Sequence, residues 1–300
     1  MSEILLTIAI PAYNRPTELN DVIKKMQPLY GNSIIEILVV DDGSVPKLEL
    51  ENPLEMDQVN LVRNIRNIGF FENFFKIIDI AQGKYILFLN DDDFLVLKNI
   101  PLLIEKLKSS TAAFISTQFL RDGSLYRGKV NSANIPISSF FESSAHSPGL
   151  IFRKSETKEN ADIIRCLNIN KSLHIYPQVL LVILAIAKAQ EIRWCNLEIA
   201  REGYDRPTGQ SPDDRGYWTA EERWSQFVAF SEVLNKFKEL PGVSPNNINL
   251  INRSLNQLAA KQLASGMLLD IKKTTVMFWL LFLTRVLKNI VIKVKRAIIK

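Results

Sequence analysis

Short apolar runs alternate with helical patterns along the first third of the chain. The apolar runs cover residues 5–10, 35–40, 59–63 and 85–89. Between them, residues 16–29 and 70–81 carry apolar positions at helical spacing. Continuous apolar strands separated by helices indicate a mostly parallel sheet that is covered on both faces. We therefore predict an α/β fold whose ligands bind beyond the carboxyl ends of the strands.

The pattern changes after residue 111. Strands are predicted at 112–120, 148–152 and 192–199, and a buried helix at 174–189. Residues 201–218 are polar and rich in Gly and Pro, which is typical of an acceptor loop or lid. A helix then begins at Thr219, which forms a capping box with Glu222 and leads to Phe237, and another helix covers residues 246–266.

Composition narrows the class of protein. The 300 residues are 47% apolar and 23% charged, as in an ordinary globular chain. Cys166 and Cys195 lie far apart without a CxxC pair, so neither a disulfide framework nor a zinc site is indicated. We therefore expect a cytoplasmic protein. The N-terminus has no basic leader before its first apolar run, which predicts a strand rather than a secretion signal.

Positive charge is concentrated at the C-terminus. The net charge is +5, yet residues 271–300 hold eight of the 37 basic residues and no acidic one. The preceding part therefore has 29 basic against 32 acidic residues, a net charge of −3. This mildly acidic body gives poor support to nucleic-acid binding, so we expect no nucleic-acid partner.

The basic C-terminal segment carries an amphipathic pattern. Residues 276–283 are strongly apolar, but Arg285 and Lys288 interrupt them well before a membrane-spanning length is reached. Beyond residue 284, apolar residues share one helical face and basic residues the other, which predicts a helix attached peripherally to the inner face of the cell membrane. The alternative is an amphipathic helix docked on the protein's own core or on a second subunit of a homo-oligomer.

Three carboxylates follow the strand predicted at 85–89. In Asn90-Asp91-Asp92-Asp93 they lie where a buried strand reaches solvent. Clustered carboxylates repel one another unless a cation lies among them, and Mg²⁺ or Mn²⁺ prefers such oxygen ligands while a phosphate supplies others. One interpretation is a nucleotide-phosphate site. The other is an acidic turn that caps the next helix near Asn99.

Three further motifs follow predicted strands. They are Ile10-Pro11-Ala12-Tyr13-Asn14-Arg15, Val39-Val40-Asp41-Asp42-Gly43-Ser44 and Asn67-Ile68-Gly69. In this order, over roughly residues 4–95, the chain resembles the family 2 glycosyltransferases with the GT-A fold. The resemblance implies transfer of a sugar from a nucleotide-diphosphate donor to an acceptor, usually with inversion and with a divalent metal, Mn²⁺ or Mg²⁺.

The resemblance also implies roles for single residues. Pro11, Tyr13 and Asn14 would line the nucleotide pocket, Asp42 would accept a hydrogen bond from the base, and Asp91 would lie near the ribose. The family's Asn-x-Gly turn falls on Asn67 and Gly69. Asp92 matches the metal-binding aspartate, and Asp93 would hold metal-bound water or steady the loop.

One position departs from the family pattern. Asn90 stands where the family commonly has an aspartate, which leaves its role open. Three consecutive aspartates look like a subgroup that builds bacterial surface polysaccharides such as O-antigen or capsule, including deoxysugar transferases. The predicted attachment of residues 271–300 to the membrane is consistent with a lipid-linked glycan acceptor.

Elementary chemistry supports part of this assignment. An aspartate only accepts hydrogen bonds, so Asp42 can select the N–H edge of uracil or thymine, while Gly43 and Gly69 permit tight turns. The alternative for residues 41–44 is a β-turn or helix cap. Arg15 has two readings that stay open: it pairs with a diphosphate, or it caps a surface helix.

The catalytic base is harder to predict. Negative charge builds on the departing diphosphate, where a metal held by Asp92 would neutralise it, and an inverting enzyme also needs a base for the acceptor hydroxyl. Family members typically carry an acidic pair where this chain has residues 172–178, which contain no carboxylate. His174 is one candidate, with a packed histidine as its alternative. Asp213 and Asp214 are the others, with a solvated turn as theirs.

These observations predict three regions. Residues 1–200 form the GT-A nucleotide-sugar-binding and catalytic domain, residues 201–270 an acceptor loop and helical region, and residues 271–300 the membrane-associating helix. Two other functions stay open. A nucleotidyltransferase would be expected to show a Gly-rich phosphate loop where this chain has residues 11–15. The other is a catalytically inactive nucleotide-sugar-binding module.

Overall fold

One mixed sheet forms the centre of the molecule. The structure is a computed structural model that describes residues 3–51, 58–121, 123–128, 133–203 and 220–269. The strands within these residues are β1 (Leu6–Ala12), β2 (Ile35–Asp41), β3 (Val59–Arg63), β4 (Tyr85–Phe88), β5 (Asp93–Leu95), β6 (Phe114–Arg121), β7 (Ser124–Arg127), β8 (Leu150–Arg153) and β9 (Ile192–Glu202). The α-helices are α1 (Pro16–Lys25), α2 (Phe70–Ile80), α3 (Ile100–Lys108), α4 (Phe140–Ser144), α5 (Lys154–Cys166), α6 (Pro177–Ala187), α7 (Ala220–Lys238) and α8 (Pro245–Leu269).

The sheet combines a parallel and a mixed half. Its strand order is β3-β2-β1-β4-β8-β6-β9-β5, and β7 pairs with β6. The pairs β3–β2, β2–β1 and β1–β4 are parallel, as the sequence predicts. In the second half, β8 is antiparallel to β4 and β6, β9 is parallel to β6, and β5 is antiparallel to β9. This arrangement confirms the predicted α/β class.

Both faces of the sheet are buried because its central strands are apolar on both sides. One face packs Leu6, Ile8 and Ile10 of β1 against α1 and α3. The other face packs against α2 and α5, and Phe74 of α2 stacks on Phe88 of β4 with ring centroids 3.9 Å apart. The core on this side also includes residues of α6, α7 and α8. Helix α6 has all its residues buried, because helices α2, α4, α5 and α8 lie around it.

Several element boundaries differ from the prediction. The first helix ends at Lys25, and residues 27–29 form a 3₁₀ turn because Pro28 has no N–H to continue an α-helix. Helix α6 begins at Pro177 rather than at residue 174, since proline suits the first turn of a helix. Strand β9 extends past Ile199 to Glu202 because its last residues pair with β5.

Two predicted features lie partly or wholly outside the described residues. Thr219 of the capping box is one, and the amphipathic segment 271–300 is the other. Within the described part of the chain, no helix is long and apolar enough to cross a membrane.

Candidate active site

Four loops meet at the carboxyl edge of the parallel half of the sheet. Backbone hydrogen bonds run from Asp42 to Ala12, from Asn64 to Asp41 and from Leu89 to Ala9, and they hold the ends of β1, β2, β3 and β4 side by side. Since these strands are parallel, the motifs that follow them share this edge. The edge brings together residues 11–15, 41–44, 64–69 and 90–92.

The turn after β2 is fixed by side chains on both sides. The Ser44 amide and hydroxyl both donate to Asp41 Oδ1, and Arg63 Nη1 donates to Asp41 Oδ2 at 2.8 Å. Asn14 has a φ of +54°, and its amide donates to Ser44 Oγ at 2.8 Å. The Val45 amide donates in turn to Asn14 Oδ1 at 2.9 Å. Asn14 therefore links the loop after β1 to the loop after β2.

Asp42 holds the Asn-x-Gly turn. Its Oδ1 accepts from Asn64 Nδ2 at 2.8 Å and from the Ile68 amide at 2.9 Å, and its Oδ2 accepts from the Gly69 amide at 2.9 Å. The Gly69 amide also donates to Asn67 Oδ1 at 2.8 Å. A carboxylate oxygen has two lone pairs, so within the described contacts Oδ2 retains one acceptor site.

Arg15 joins the two leading aspartates of the acidic loop. Its Nη1 lies 3.0 Å from Asp91 Oδ1 and 3.0 Å from Asp92 Oδ2. The Tyr13 amide donates to the second oxygen of Asp91 at 3.4 Å. Both aspartates are buried, whereas Tyr13 is 44% exposed. The two carboxylates thus converge on a single cationic nitrogen, beside an exposed aromatic ring.

Asp93 faces a different set of groups. It begins β5 opposite Glu202 of β9, and it accepts hydrogen bonds from the Asn90 side chain and the Gly203 amide. Burial raises the pKa of Asp93 to about 7, the carboxylates of Glu202 and Asp91 add to the rise, and the two hydrogen bonds oppose it. The structure therefore groups Asp92 with Asp91, and Asp93 with Asn90. Asp93 as a metal ligand stays a prediction.

Asn90 and Gly203 fasten the acidic loop from two sides. Asn90 Oδ1 accepts from Ser147 Oγ at 2.9 Å, which connects the loop to residues 146–148. A Cβ atom at Gly203 would lie 2.3 Å from the Asp92 carbonyl oxygen, so only glycine fits there. The end of β9 therefore packs directly on the acidic loop.

A buried arginine supports residues 146–148. Arg127 of β7 is 2% exposed, and its guanidinium donates to the carbonyl oxygens of Thr117, His146 and Pro148. Burial lowers the pKa of Arg127 to about 9. The pKa of His146 falls to about 3 because the ring is buried and lies near the charges of Arg127 and Arg121. His146 is therefore neutral over the physiological range.

The base candidates are in contrasting positions. The His174 ring stacks on Phe71 at a centroid distance of 4.3 Å, and its Nε2 lies 3.4 Å from the Ile169 carbonyl oxygen. These contacts agree with the packed alternative. Asp213 and Asp214 lie outside the described residues. At the start of α6, the Tyr176 hydroxyl accepts from Arg223 Nη1 at 3.0 Å, and Gln178 Nε2 donates to the Ala145 carbonyl oxygen at 3.0 Å.

The donor atoms of the acidic loop suit a hard divalent cation. Asp91 and Asp92 present two carboxylate oxygens to one point, which a cationic group already occupies. Within the described residues, no group of three or more His, Cys, Asp and Glu side chains has the geometry of a metal site. Two carboxylates are enough for Mg²⁺-type sites, where substrate phosphates and water complete the coordination. The residues present therefore fit the metal that the resemblance implies.

Three supporting residues were missed by the sequence reasoning. Arg127 and Ser147 lie in segments without a strong local pattern, and no sequence signal points to their contacts. Gly203 was grouped with the polar loop, although a glycine directly after a long strand is a common sign of close backbone approach.

Comparison with known sequences identifies the family of the chain. The sequence model of "Glycosyl transferase family 2" matches residues 7–166. A protein of Haemophilus influenzae described as an uncharacterized glycosyltransferase is 30% identical over 89 residues, and this stretch covers 30% of each chain.

Solved structures share the architecture. S. aureus TarS 1–349 has a TM-score of 0.62 at 12% identity, over 92% of this chain and 78% of that one. The same protein in complex with UDP-GlcNAc has a TM-score of 0.63 at 15% identity, over 90% of this chain and 77% of that one. Identities this low show the fold alone. Since the family model covers more than half of the sequence, the chain belongs to glycosyl transferase family 2 and has the GT-A fold.

Proposed function

We propose that the protein is a metal-dependent, inverting glycosyltransferase that moves a sugar from a nucleotide-diphosphate donor to a glycan acceptor. The observation that carries this proposal is the convergence of Asp91 and Asp92 on one cationic nitrogen at the carboxyl edge of parallel strands. Tyr13 is exposed in the loop after β1, and Asp42 fixes the Asn-x-Gly turn in the loop after β3. Family membership supports the same reaction class.

The donor nucleotide would bind between the loops after β1, β2 and β3. Tyr13 offers an exposed ring face to the base or ribose, and the remaining acceptor site on Asp42 Oδ2 suits a base N–H. Uracil and thymine present such an N–H, and UDP-GlcNAc binds the structurally similar TarS. We therefore propose a uracil or thymine nucleotide, carrying a hexosyl or deoxyhexosyl group.

The diphosphate would lie against the acidic loop. Asp91 and Asp92 would hold Mn²⁺ or Mg²⁺ there, and the ion, when bound, supplies Lewis-acid stabilisation of the departing phosphate. Asp91 and Asp92 need a counter-charge because both are buried, and Asn90, Ser147 and Gly203 keep their loop in place. The rigid loop orients the carboxylates before the donor arrives.

The acceptor hydroxyl also has to lose a proton. We propose that Asp213 or Asp214 accepts it, because along the chain both lie between Gly203, which packs against the acidic loop, and α7, whose Arg223 donates to the Tyr176 hydroxyl. His174 is less suited, since its ring is stacked on Phe71. Substituting His174, Asp213 and Asp214 singly and measuring turnover tests this assignment, and near-normal rates in all three variants would dismiss these candidates.

The acceptor we propose is a lipid-linked glycan in bacterial surface polysaccharide synthesis. Support comes from the basic, amphipathic sequence of residues 271–300, which suits peripheral attachment to the anionic inner face of the cell membrane. An acceptor anchored in that membrane would then be within reach of the site.

Donor hydrolysis tests the reaction class. The purified protein is incubated with a panel of nucleotide sugars and Mn²⁺, and the released products are identified. We expect release of a nucleoside diphosphate from one donor. The rate of this release should fall by roughly a hundredfold or more in Asp92→Asn. Asp162→Asn, an exposed aspartate on α5, is the matched control and should keep the wild-type rate.

The possible products separate the alternatives. Pyrophosphate release would favour a nucleotidyltransferase. No release with any donor or metal would favour a catalytically inactive binding module. Equal rates for wild type and Asp92→Asn would remove the acidic loop from the mechanism.

A further inference from the structure

Arg15 occupies the point at which Asp91 and Asp92 converge. One nitrogen, Nη1, bridges the two carboxylates at 3.0 Å each. A divalent cation held by the same two oxygens would have to lie where this nitrogen lies. The guanidinium and a metal ion repel each other as like charges, so both cannot occupy the point together.

The backbone of Arg15 is held on both sides, whereas its side chain is partly exposed to solvent. Asn14 is tied to Ser44 and Val45, and Pro16 begins α1 with a restricted φ. The Arg15 side chain is 34% exposed, whereas the side chains of Asp91 and Asp92 are 9% and 7% exposed. Rotation of the side chain alone can therefore withdraw the guanidinium to solvent without moving the loop.

The ion pair has a clear energetic role in the free protein. Two buried carboxylates next to each other are costly unless a positive charge compensates them. Arg15 supplies that charge, and its hydrogen bonds keep the oxygens aimed at one point. The same contacts must be broken before another cation can bind.

We propose that Arg15 is an internal counter-ion that holds the metal site in its binding geometry and leaves it when the metal binds. The inference rests on the proposed function, in which Asp91 and Asp92 hold Mn²⁺ or Mg²⁺. Once withdrawn, the guanidinium lies at the edge where the donor's diphosphate would bind, and it gains an anionic partner there. Arg15 is thus a positioning residue with two positions, so that metal and diphosphate enter more readily together than alone.

Metal binding without nucleotide tests the first position. Free Mn²⁺ is measured by electron paramagnetic resonance while MnCl₂ is added to the full-length protein. Because Arg15→Gln removes the competing cation, we expect it to bind Mn²⁺ roughly tenfold more tightly than wild type. Arg66→Gln removes an equal charge from an exposed position of the same edge, and its affinity should change less than twofold.

Thermal unfolding gives a readout of the counter-ion itself. With EDTA, Arg15→Gln should melt roughly 2–4 °C below wild type because the aspartates lose their compensating charge. Saturating Mn²⁺ should close or reverse this difference. If Arg15→Gln unfolds outright, it is replaced by Arg15→Lys, which keeps the charge but lacks the planar guanidinium and should bind Mn²⁺ more tightly than wild type.

The outcomes separate this inference from the function on which it rests. If wild type and Arg15→Gln bind Mn²⁺ with equal affinity and Asp92→Asn does not bind it, the counter-ion proposal is overturned but the proposed metal site is not. If Arg66→Gln raises the Mn²⁺ affinity as much as Arg15→Gln does, the effect is one of general electrostatics, and the counter-ion proposal is overturned. If Asp92→Asn leaves Mn²⁺ binding unchanged both in the wild-type protein and in Arg15→Gln, the proposed metal site and the counter-ion proposal are overturned together.

Discussion

Two buried side chains, Asp93 of the acidic loop and His146 of the neighbouring segment, have pKa values that are shifted in opposite directions. Asp93 has a pKa raised to about 7 from an ordinary 3.8, and His146 has a pKa lowered to about 3 from 6.5. Folding therefore favours the neutral form of both groups. Between about pH 4 and pH 6.5 the folded state prefers protonated Asp93, whereas the unfolded state prefers protonated His146. Their effects on the pH dependence of stability oppose each other.

His146→Phe should remove one of these two opposing effects on the pH dependence of stability. The folded pKa of His146 is lowered, so its contribution to stability is complete above pH 6.5 and is lost as the pH falls towards 3. Phenylalanine keeps the aromatic contacts with Phe119 and Tyr126 and does not titrate. We expect the free energy of unfolding of the variant, relative to wild type, to rise by about 2 kcal/mol between pH 7 and pH 5. Urea unfolding at the two pH values measures it.

Asp93→Asn is the matched comparison, and its effect on stability should change with pH in the opposite direction. The folded pKa of Asp93 is raised, so its contribution is complete below pH 3.8 and is lost as the pH rises to about 7. The variant should gain stability relative to wild type as the pH rises from 4 to 7. Parallel curves for wild type and both variants would mean that neither group titrates differently in the folded protein.

The sequence predicted which motifs follow the parallel strands, but it did not predict their side-chain partners. The order of motifs predicts a donor pocket near Asp42, Asp91 and Asp92, and the strands end where expected. The position of Arg15 depends on a rotamer, and sequence left it open between a diphosphate and a helix cap. Arg127 is also instructive: a charged residue in a short strand predicts exposure, yet three carbonyl oxygens surround it.

At the scale of elements, the turn after β2 packs on the loop after β3 at the candidate site. Gly43 has a φ of +74°, and a Cβ atom there would lie 2.5 Å from the Arg66 carbonyl carbon. The turn and the loop after β3 therefore touch through backbone atoms. Gly31 has a similar φ of +73°, with nothing within 4 Å of a Cβ atom.

This pair of glycines allows a controlled test. Gly31→Ala should cost about 1 kcal/mol of unfolding free energy, because only the left-handed backbone conformation is strained. Gly43→Ala should cost roughly 3 kcal/mol or more, since the added methyl also meets the backbone of the neighbouring loop. Chemical denaturation of both variants gives the comparison. Equal losses would show that the two loops are not in contact.

Arg127 connects β7 to the loop that supports Asn90. Replacing it by methionine leaves the carbonyl oxygens of Thr117, His146 and Pro148 without its donors. We expect Arg127→Met to lose roughly 2–4 kcal/mol of unfolding free energy. Arg121→Met alters a half-exposed ion pair with Glu202 and should lose about 0.5 kcal/mol or less. Similar losses in the two variants would contradict a structural role for the buried guanidinium.

The elements themselves were predicted unevenly for a physical reason. The parallel strands are continuous apolar runs, because both their faces are buried, and such runs are easy to read. Helix α5 was missed because few of its residues are buried, two of them polar: Thr157, Asn160, Ala161 and Ile164. Strand β5 has three residues, and its pairing with β9 depends on a partner about a hundred positions away in sequence.

At the scale of the whole molecule, charge divides the chain into two parts. The part before residue 271 has a net charge of −3, and residues 271–300 carry eight basic residues and no acidic one. An acidic body does not favour an anionic membrane, so any attraction has to come from the basic segment.

Deleting residues 274–300 tests that attraction. We expect the truncated protein to keep its donor-dependent shift in melting temperature, since the described site lies within residues 11–203. It should no longer sediment with vesicles that contain anionic lipid. Wild-type binding to vesicles should weaken as the salt concentration rises, because the attraction is electrostatic. Sedimentation that is unchanged by the deletion would contradict membrane attachment through this segment.

The global arrangement was predicted only as a class. The α/β fold and its parallel half follow from the alternation of apolar runs and helices. The mixed half does not, because antiparallel pairing of β8 with β4 and β6 is set by contacts between distant segments rather than by local pattern. The candidate site nevertheless lies in the predictable half, and its motifs follow strands that the sequence predicts.

The central claim is that Asp91 and Asp92 hold a cation that binds the donor's diphosphate. Anomalous diffraction at the manganese edge tests it most directly, using crystals that contain Mn²⁺ and the nucleotide sugar whose diphosphate is released fastest. We predict one strong anomalous peak, from a manganese ion that is coordinated by Asp92 and by diphosphate oxygens. The Arg15 side chain should be withdrawn from Asp91 and Asp92. A nucleotide bound elsewhere, with no manganese at the acidic loop and Arg15 still bridging Asp91 and Asp92, would contradict the account.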